Sequence, residues 1–209
     1  MVMSNKGFHR FFLLSAVVYL LLVSFISYPL TTFLKPLPIF CLLIWSFYLD
    51  LPRRHKVFLQ GALLFSALGD ITLSLPITNQ LEVGLGLFLI AHCSYIRLFI
   101  QQVHVTKKRL LACLAVIAIS IGMLVILMPS LGQLLIPVIV YVIVITIMSL
   151  SAILNKNFQR WIVWGALTFM LSDSMIAINQ FLFPQLNLTL AIMLTYYLAQ
   201  RLIFEGIKS

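Results

Sequence analysis

The stretch "GALLFSALGD", residues 61–70, runs through small and apolar side chains and ends on a carboxylate, Asp70. "GALTFMLSD", residues 165–173, repeats the lead-in and ends on Asp173. Neither stretch offers a continuous polar face to water, so each reads as helix set in apolar surroundings. The chain has only five acidic residues among 209. An aspartate at the centre of a membrane helix costs about 2.5–3.5 kcal/mol, so it needs a partner, a proton or a task.

The flanking sequence sets the class. Hydrophobic residues make up 62% of the chain and charged residues 9%, against roughly 25% charged in soluble domains. The mean hydropathy is +1.11, which leaves no room for a water-soluble domain. The expectation is an all-α, polytopic membrane bundle, one integral membrane domain over residues 1–209. Apolar runs fall near 11–28, 34–49, 57–75, 81–101, 110–128, 132–153, 160–182 and 188–206, which predicts eight transmembrane helices. The second begins with Lys35, Pro36 and Pro38, and proline is tolerated in a first helical turn. Residues 1–27 read as a retained first helix, because no small-residue cleavage site follows the basic start and apolar run.

The basic residues orient these spans. With the N-terminus inside, Lys6, Arg10, Arg53, Arg54, Lys56, Lys107, Lys108, Arg109, Lys156, Arg160 and Lys208, eleven of the fourteen, fall on the inner side. Arg97 and Arg201 lie near inner helix ends, and Lys35 remains outside. This pattern predicts both termini in the cytoplasm. The net charge of +9 therefore reads as topology signal and attraction to membrane lipid, and no nucleic-acid partner is expected. Cys41, Cys93 and Cys113 all fall in apolar runs and are expected as buried free thiols.

An offset of 104 residues lays Gly61-Ala62-Leu63 on Gly165-Ala166-Leu167, Phe65 on Phe169 and Arg97-Leu98 on Arg201-Leu202. One skipped residue brings Asp70 opposite Asp173. Four spans separate the copies, which predicts a parallel four-plus-four repeat.

Asp70 lies 14 residues past Lys56, and Asp173 13 past Arg160. At about 1.5 Å per residue both carboxylates reach a similar depth, roughly 20 Å from the inner end. Ser66 shares a helix face with Asp70 at i, i+4, and His92 with Tyr95 at i, i+3. Tyr141, Asn179, Tyr196 and Gln200 add polar groups at middle depth, and Lys35 is a candidate for a lipid phosphate. The expectation is a polar cavity with Asp70 and Asp173 catalytic, and with Lys35, Ser66, His92, Tyr95, Tyr141, Asn179, Tyr196 and Gln200 binding or orienting substrate. The bland reading of each aspartate is a hydrogen-bonding group between helices; of His92, a satisfied core histidine; of Lys35, an interfacial anchor. No histidine pair has metal-ligand spacing, and HExxH, GxSxG, CxxC and Gly-rich phosphate loops do not occur, so no metal and no cofactor are expected. Two other classes fit intramembrane carboxylates: a proton-coupled carrier and a lipid-binding protein without turnover.

"GALLFSALGD", "GLFLIAHCSY", "GALTFMLSDSMIAINQF", "YYLAQRLI" and "KPLP" near the second span together resemble the YhhN-like lysoplasmalogenase family of integral membrane proteins. The resemblance runs from the second span to the C-terminus. It implies cleavage of the vinyl ether bond of a lysoplasmalogen, releasing a fatty aldehyde and glycerophosphoethanolamine or glycerophosphocholine. Such a reaction needs a proton donor, a negative charge beside an oxocarbenium-like cation, and one water, which two carboxyls in different surroundings can supply. Hydrocarbon surroundings disfavour the charged form of a carboxyl, as a proton donor requires. The sequence leaves open which aspartate is acid and which is base. The short loops suggest a bacterial inner membrane.

Overall fold

A computed structural model describes residues 5–100, 103–156 and 160–208. Residues 1–4 at the start of the expected first segment, residue 101 at the end of the expected fourth span, and residue 209 lie outside the described residues. The described secondary structure is helical apart from one isolated antiparallel bridge, Val103 to Asn155. The helices are α1 (Asn5–Leu22), α2 (Leu30–Leu34), α3 (Leu37–Ser46), α4 (Arg53–Thr72), α5 (Gln80–Phe99), α6 (Lys107–Leu127), α7 (Leu135–Leu154), α8 (Arg160–Ala177) and α9 (Thr189–Lys208).

Five described helical segments are long and apolar enough to cross a membrane: Gln80–Phe99, Lys107–Ser130, Gly132–Leu154, Arg160–Leu182 and Thr189–Lys208. The chain is an integral membrane protein. The other three expected spans differ from these in composition or length. α1 opens on Lys6 and Arg10, and α4 opens on Arg53, Arg54 and Lys56 before reaching Asp70. The second expected span is a shorter apolar segment, Leu30–Ser46, divided into α2 and α3. Its division follows from Pro36, whose nitrogen has no hydrogen to continue the helical ladder. Lys35 N–H still bonds Thr31 O at 3.0 Å, and the ladder restarts with Phe40 N to Pro36 O at 2.9 Å.

The chain divides into two compact units. The first holds the described residues through Tyr95 together with Lys208. In it α1 packs on α3 and α3 on α4. The Phe8 ring stacks on Trp45 with centroids 5.7 Å apart, the Trp45 indole N–H donates to Asn5 Oδ1 at 3.0 Å, and the Cys41 thiol donates to Phe8 O. Thr32 Oγ1 donates to Ser74 O at 3.3 Å, which ties α2 to the segment just past α4. Two glycines admit neighbours directly. A Cβ on Gly69 would meet the Phe88 ring at 2.6 Å, and one on Gly84 would meet Leu73 at 2.5 Å.

The second unit holds the described residues from Ile96 to Ile207. α6 packs on α7 and α7 on α8. Cys113, Val116 and Ile153 form a buried cluster against Leu150, Leu154, Val163, Leu167 and Met170. Within it Thr146 Oγ1 donates to Ser120 Oγ at 2.7 Å. α6 starts at Thr106, whose hydroxyl accepts the Arg109 N–H, the side-chain cap expected of threonine. Arg109 Nη1 donates to His104 O at 3.0 Å and Asn155 O at 2.8 Å, and Asn155 Nδ2 donates to Phe99 O at 2.6 Å. These bonds satisfy the carbonyls where α5 and α7 end. Gly132 takes a positive φ of 50° in the short turns between α6 and α7, a backbone position that suits glycine. α8 and α9 approach at glycines from both sides. A Cβ on Gly165 would lie 2.8 Å from Ile203 N, and one on Gly206 would lie 2.9 Å from Ile162 N. Small residues bring membrane helices together in this way.

One thiol departs from expectation. Cys41 and Cys113 are buried, but Cys93 is exposed. Successive side chains on a helix point about 100° apart, and neighbouring His92 takes the inward direction with no exposure.

Candidate functional site

Of the two carboxylates, Asp70 is buried and Asp173 half-buried. Asp70 sits in the last turn of α4, which ends at Thr72, and is 1% exposed. Lys35 Nζ lies 3.6 Å from Asp70 Oδ1. An ion pair removed from water keeps most of its Coulomb attraction, because little solvent screens it. Ser74, one turn later, donates its hydroxyl to the Asp70 backbone carbonyl at 2.8 Å. Ser66, one turn earlier on the same face, is fully buried, and its hydroxyl has no hydrogen-bond partner among the described residues. A buried hydroxyl in that state is costly, and it marks the face as built for polar company.

His92 and Tyr95 of α5 belong to the same unit, and both are fully buried. His92 Nδ1 lies 2.6 Å from Phe88 O, one helical turn back. A carbonyl can only accept, so Nδ1 carries the hydrogen and Nε2 is left as the acceptor nitrogen. Phe88 thus has two tasks. Its ring fills the space opened by Gly69, next to Asp70, while its carbonyl orients His92.

In the second unit the Tyr141 hydroxyl donates to Asp173 Oδ2 at 2.5 Å. Tyr141 comes from α7 and Asp173 from α8, which are packed neighbours. The flanking serines are occupied elsewhere: Ser172 donates to Ile192 O at 3.0 Å and Ser174 to Met170 O at 2.8 Å. Tyr196 is buried with its ring edge-on to Phe169, centroids 5.5 Å apart, and Gln200 is fully buried. Asn179 lies in a π-helical turn, Ile178–Leu182, which ends α8. Its Nδ2 donates to Phe183 O at 3.1 Å and Leu186 O at 2.7 Å. Asn179 therefore braces the segment that follows the π-helical turn, a structural duty that its residue type alone did not announce.

The structure brings together Lys35 with Asp70, and Tyr141 with Asp173. Sequence reading picked out all four but paired none of them, because partners 35 and 32 residues apart leave no periodic trace. It missed the Thr32 tie to Ser74 and the Arg109–Asn155 stitching. Proline beside Lys35 was the available signal for the first, since it announces a break that needs holding.

These features define a helical integral membrane protein in which each of two units holds a carboxylate against a polar side chain from an adjoining span. The chain belongs to the YhhN family, whose model matches residues 30–207. It is 36% identical over 159 residues to a Mycobacterium tuberculosis protein named lysoplasmalogenase, covering 73% of this chain. It spans 61% of the length of that relative. It is 33% identical over 189 residues to human lysoplasmalogenase TMEM86A, covering 83% of this chain and 76% of the relative. With mouse lysoplasmalogenase TMEM86B it shares 28% identity over 200 residues, 92% of this chain and 82% of the relative. No solved structure matches it.

Proposed function

We propose that this chain is a lysoplasmalogenase, hydrolysing the vinyl ether bond of a lysoplasmalogen to a fatty aldehyde and glycerophosphoethanolamine or glycerophosphocholine. The observation that carries this reading is identity to proteins of that name, bacterial and mammalian, over most of the chain. Two aspartates, each held against a polar partner, fit the chemistry. Protonation of the vinyl carbon distal to oxygen gives an oxocarbenium-like cation, water adds, and the hemiacetal collapses. One of Asp70 and Asp173 donates the proton; the other, ionised, opposes the cation and activates water. Ser66, His92, Tyr95, Tyr196 and Gln200 orient water and the glycerol oxygens. Lys35, Tyr141 and Asn179 act at the substrate or through the groups they hold.

The membrane arrangement proposed with this function is one domain of eight spans, both termini in the cytoplasm, built as a parallel four-plus-four repeat in a bacterial inner membrane. Packing order supports the repeat: α1 on α3 and α3 on α4 in one unit, α6 on α7 and α7 on α8 in the other. A single-chain lipid then reaches the protein laterally, from the bilayer that surrounds it.

The test is direct. The purified protein, given a vinyl ether lysolipid, releases aldehyde, and gives none from the saturated ether analogue. Asp70→Asn and Asp173→Asn, folded as judged by thermal unfolding, lose most of that release. Near-normal turnover in both variants ends the acid–base reading, and inactivity of the wild type toward every vinyl ether lysolipid ends the assignment.

A further inference from the structure

We propose that Ser66 binds the free sn-2 hydroxyl of the lysolipid, and that this contact selects a lysoplasmalogen over a plasmalogen acylated at the same carbon. This rests on the vinyl ether hydrolase reading above and names the group by which the protein recognises its substrate. Ser66 and Asp70 both belong to the first unit.

Serines in these helices have an ordinary way to satisfy their hydroxyls. Ser15 donates to Phe11 O, Ser94 to Ile90 O, Ser120 to Val116 O, Ser151 to Ile147 O and Ser174 to Met170 O, each one turn back along its own helix. The carbonyl in that position for Ser66 belongs to Ala62, which is as fully buried as Ser66 itself. Ser66 Oγ makes no such bond, and no other described group takes its place. A buried hydroxyl without a partner is disfavoured, and bonding back to its own helix would have removed that cost. Ser66 instead keeps both its donor and its acceptor capacity for an oxygen that is brought to it.

The setting suits a hydroxyl carried on the substrate. On the buried face of α4 the residues next to Ser66 are Ala62, Leu63, Ala67 and Gly69, none of which offers a side-chain donor or acceptor, and Asp70 follows one turn on. A turn of helix rises about 5.4 Å. In a lysoplasmalogen the path from the sn-2 oxygen runs through the glycerol carbons and the ether oxygen to the first vinyl carbon, a reach of the same order. A lipid held by its hydroxyl at Ser66 therefore brings its reacting carbons abreast of Asp70, whichever carboxyl task Asp70 performs.

That hydroxyl also separates the substrate from its acylated counterpart. The two lipids share the vinyl ether and the headgroup and differ at the sn-2 oxygen. Acylation removes the hydrogen that the substrate would donate and sets an ester chain against a fully buried position. A site built to pair with a hydroxyl discriminates strongly against a molecule that leaves its buried partner unpaired.

Two vinyl ether lysolipids, identical except that one carries hydrogen in place of the sn-2 hydroxyl, test this on the purified full chain. The wild type is expected to turn over the hydroxyl lipid with a kcat/KM roughly ten- to a hundredfold above that for the deoxy lipid, as leaving a buried hydroxyl unpaired implies. Ser66→Ala removes a single oxygen, and thermal unfolding checks its fold. It brings the ratio close to unity, because it lowers kcat/KM for the hydroxyl lipid far more than for the deoxy lipid. Equal losses on both lipids would place a water at Ser66, and no loss on either would leave the serine outside the site. Either result overturns the inference. The wild-type comparison needs no variant, and a wild type that treats the two lipids alike overturns it by itself. All of these outcomes include aldehyde release, which keeps them apart from failure of the hydrolase reading. A wild type inactive on every vinyl ether lysolipid ends that reading, and the role of Ser66 with it.

Discussion

In the first unit a buried carboxylate, Asp70, meets an ammonium; in the second a half-buried one, Asp173, meets a phenol. The helices that supply these partners correspond. Shifted by 104 residues, Lys35 falls at position 139, two residues before Tyr141. Corresponding places in two similar layouts thus carry different chemistry. The backbone differs there too, since α2 and α3 are interrupted at Lys35-Pro36 while α7 runs unbroken from Leu135 to Leu154. The interruption has a physical consequence. It frees a short, braced turn on which a lysine can be set against a carboxylate, whereas a continuous helix offers only a side chain that projects from its face. What the comparison teaches is that two similar helix packings each carry an acid, and the neighbouring helix decides which polar group meets it.

The glycines make the same point in packing. Gly61 and Gly165 are partners under the offset. A Cβ on Gly61 would sit 3.5 Å from Ser94 Oγ, an ordinary contact, while on Gly165 it would collide with the backbone of α9. The second unit closes more tightly at this position, and Gly206 shows the same closeness from the other helix.

The largest effect expected from breaking the comparison is at the carboxyls. Asp173→Asn lowers vinyl ether turnover by about 10²–10⁴-fold, the usual contribution of general acid–base catalysis. Aldehyde release in single-turnover conditions measures it, and a loss under tenfold would remove Asp173 from the chemistry. Next comes the ion pair. Lys35→Met removes the ammonium that faces Asp70 and destabilises the folded protein by about 3–5 kcal/mol. The double variant Lys35→Met/Asp70→Asn recovers much of that, so additive losses in thermal unfolding would show that the two residues do not form a coupled pair.

Tyr141→Phe removes a hydrogen bond to a charged acceptor, of the order of 1.5–3 kcal/mol. It therefore slows turnover roughly ten- to a hundredfold, mainly in kcat, with little change in KM if the phenol acts on Asp173 and not on substrate. An effect confined to KM would place Tyr141 on the lipid instead. At the glycines, Gly165→Ala destabilises by about 1–3 kcal/mol through overpacking. Gly61→Ala stays within about 1 kcal/mol of wild type. Similar unfolding shifts for the two would erase the packing contrast. The smallest change is Thr146→Val, which removes the Thr146 hydrogen bond to Ser120 and costs about 0.6 kcal/mol, the mean for polar contacts between membrane helices.

Much of this molecule is legible in its residues. Apolar run length and the scarcity of charge determined that it is helical and lives in a membrane, because a bilayer demands about twenty apolar residues per crossing and satisfied backbone groups throughout. The matched "GALLFSALGD" and "GALTFMLSD" stretches determined where its two acids lie along their helices, since rise per residue is constant. Only the tertiary structure decided the rest. Lys35 turns onto Asp70, Tyr141 onto Asp173, and Asn179 back onto its own loop, while Cys93 turns outward. Those outcomes depend on which faces of neighbouring helices meet, and a period of 3.6 residues says which side chains share a face but not what lies across from it.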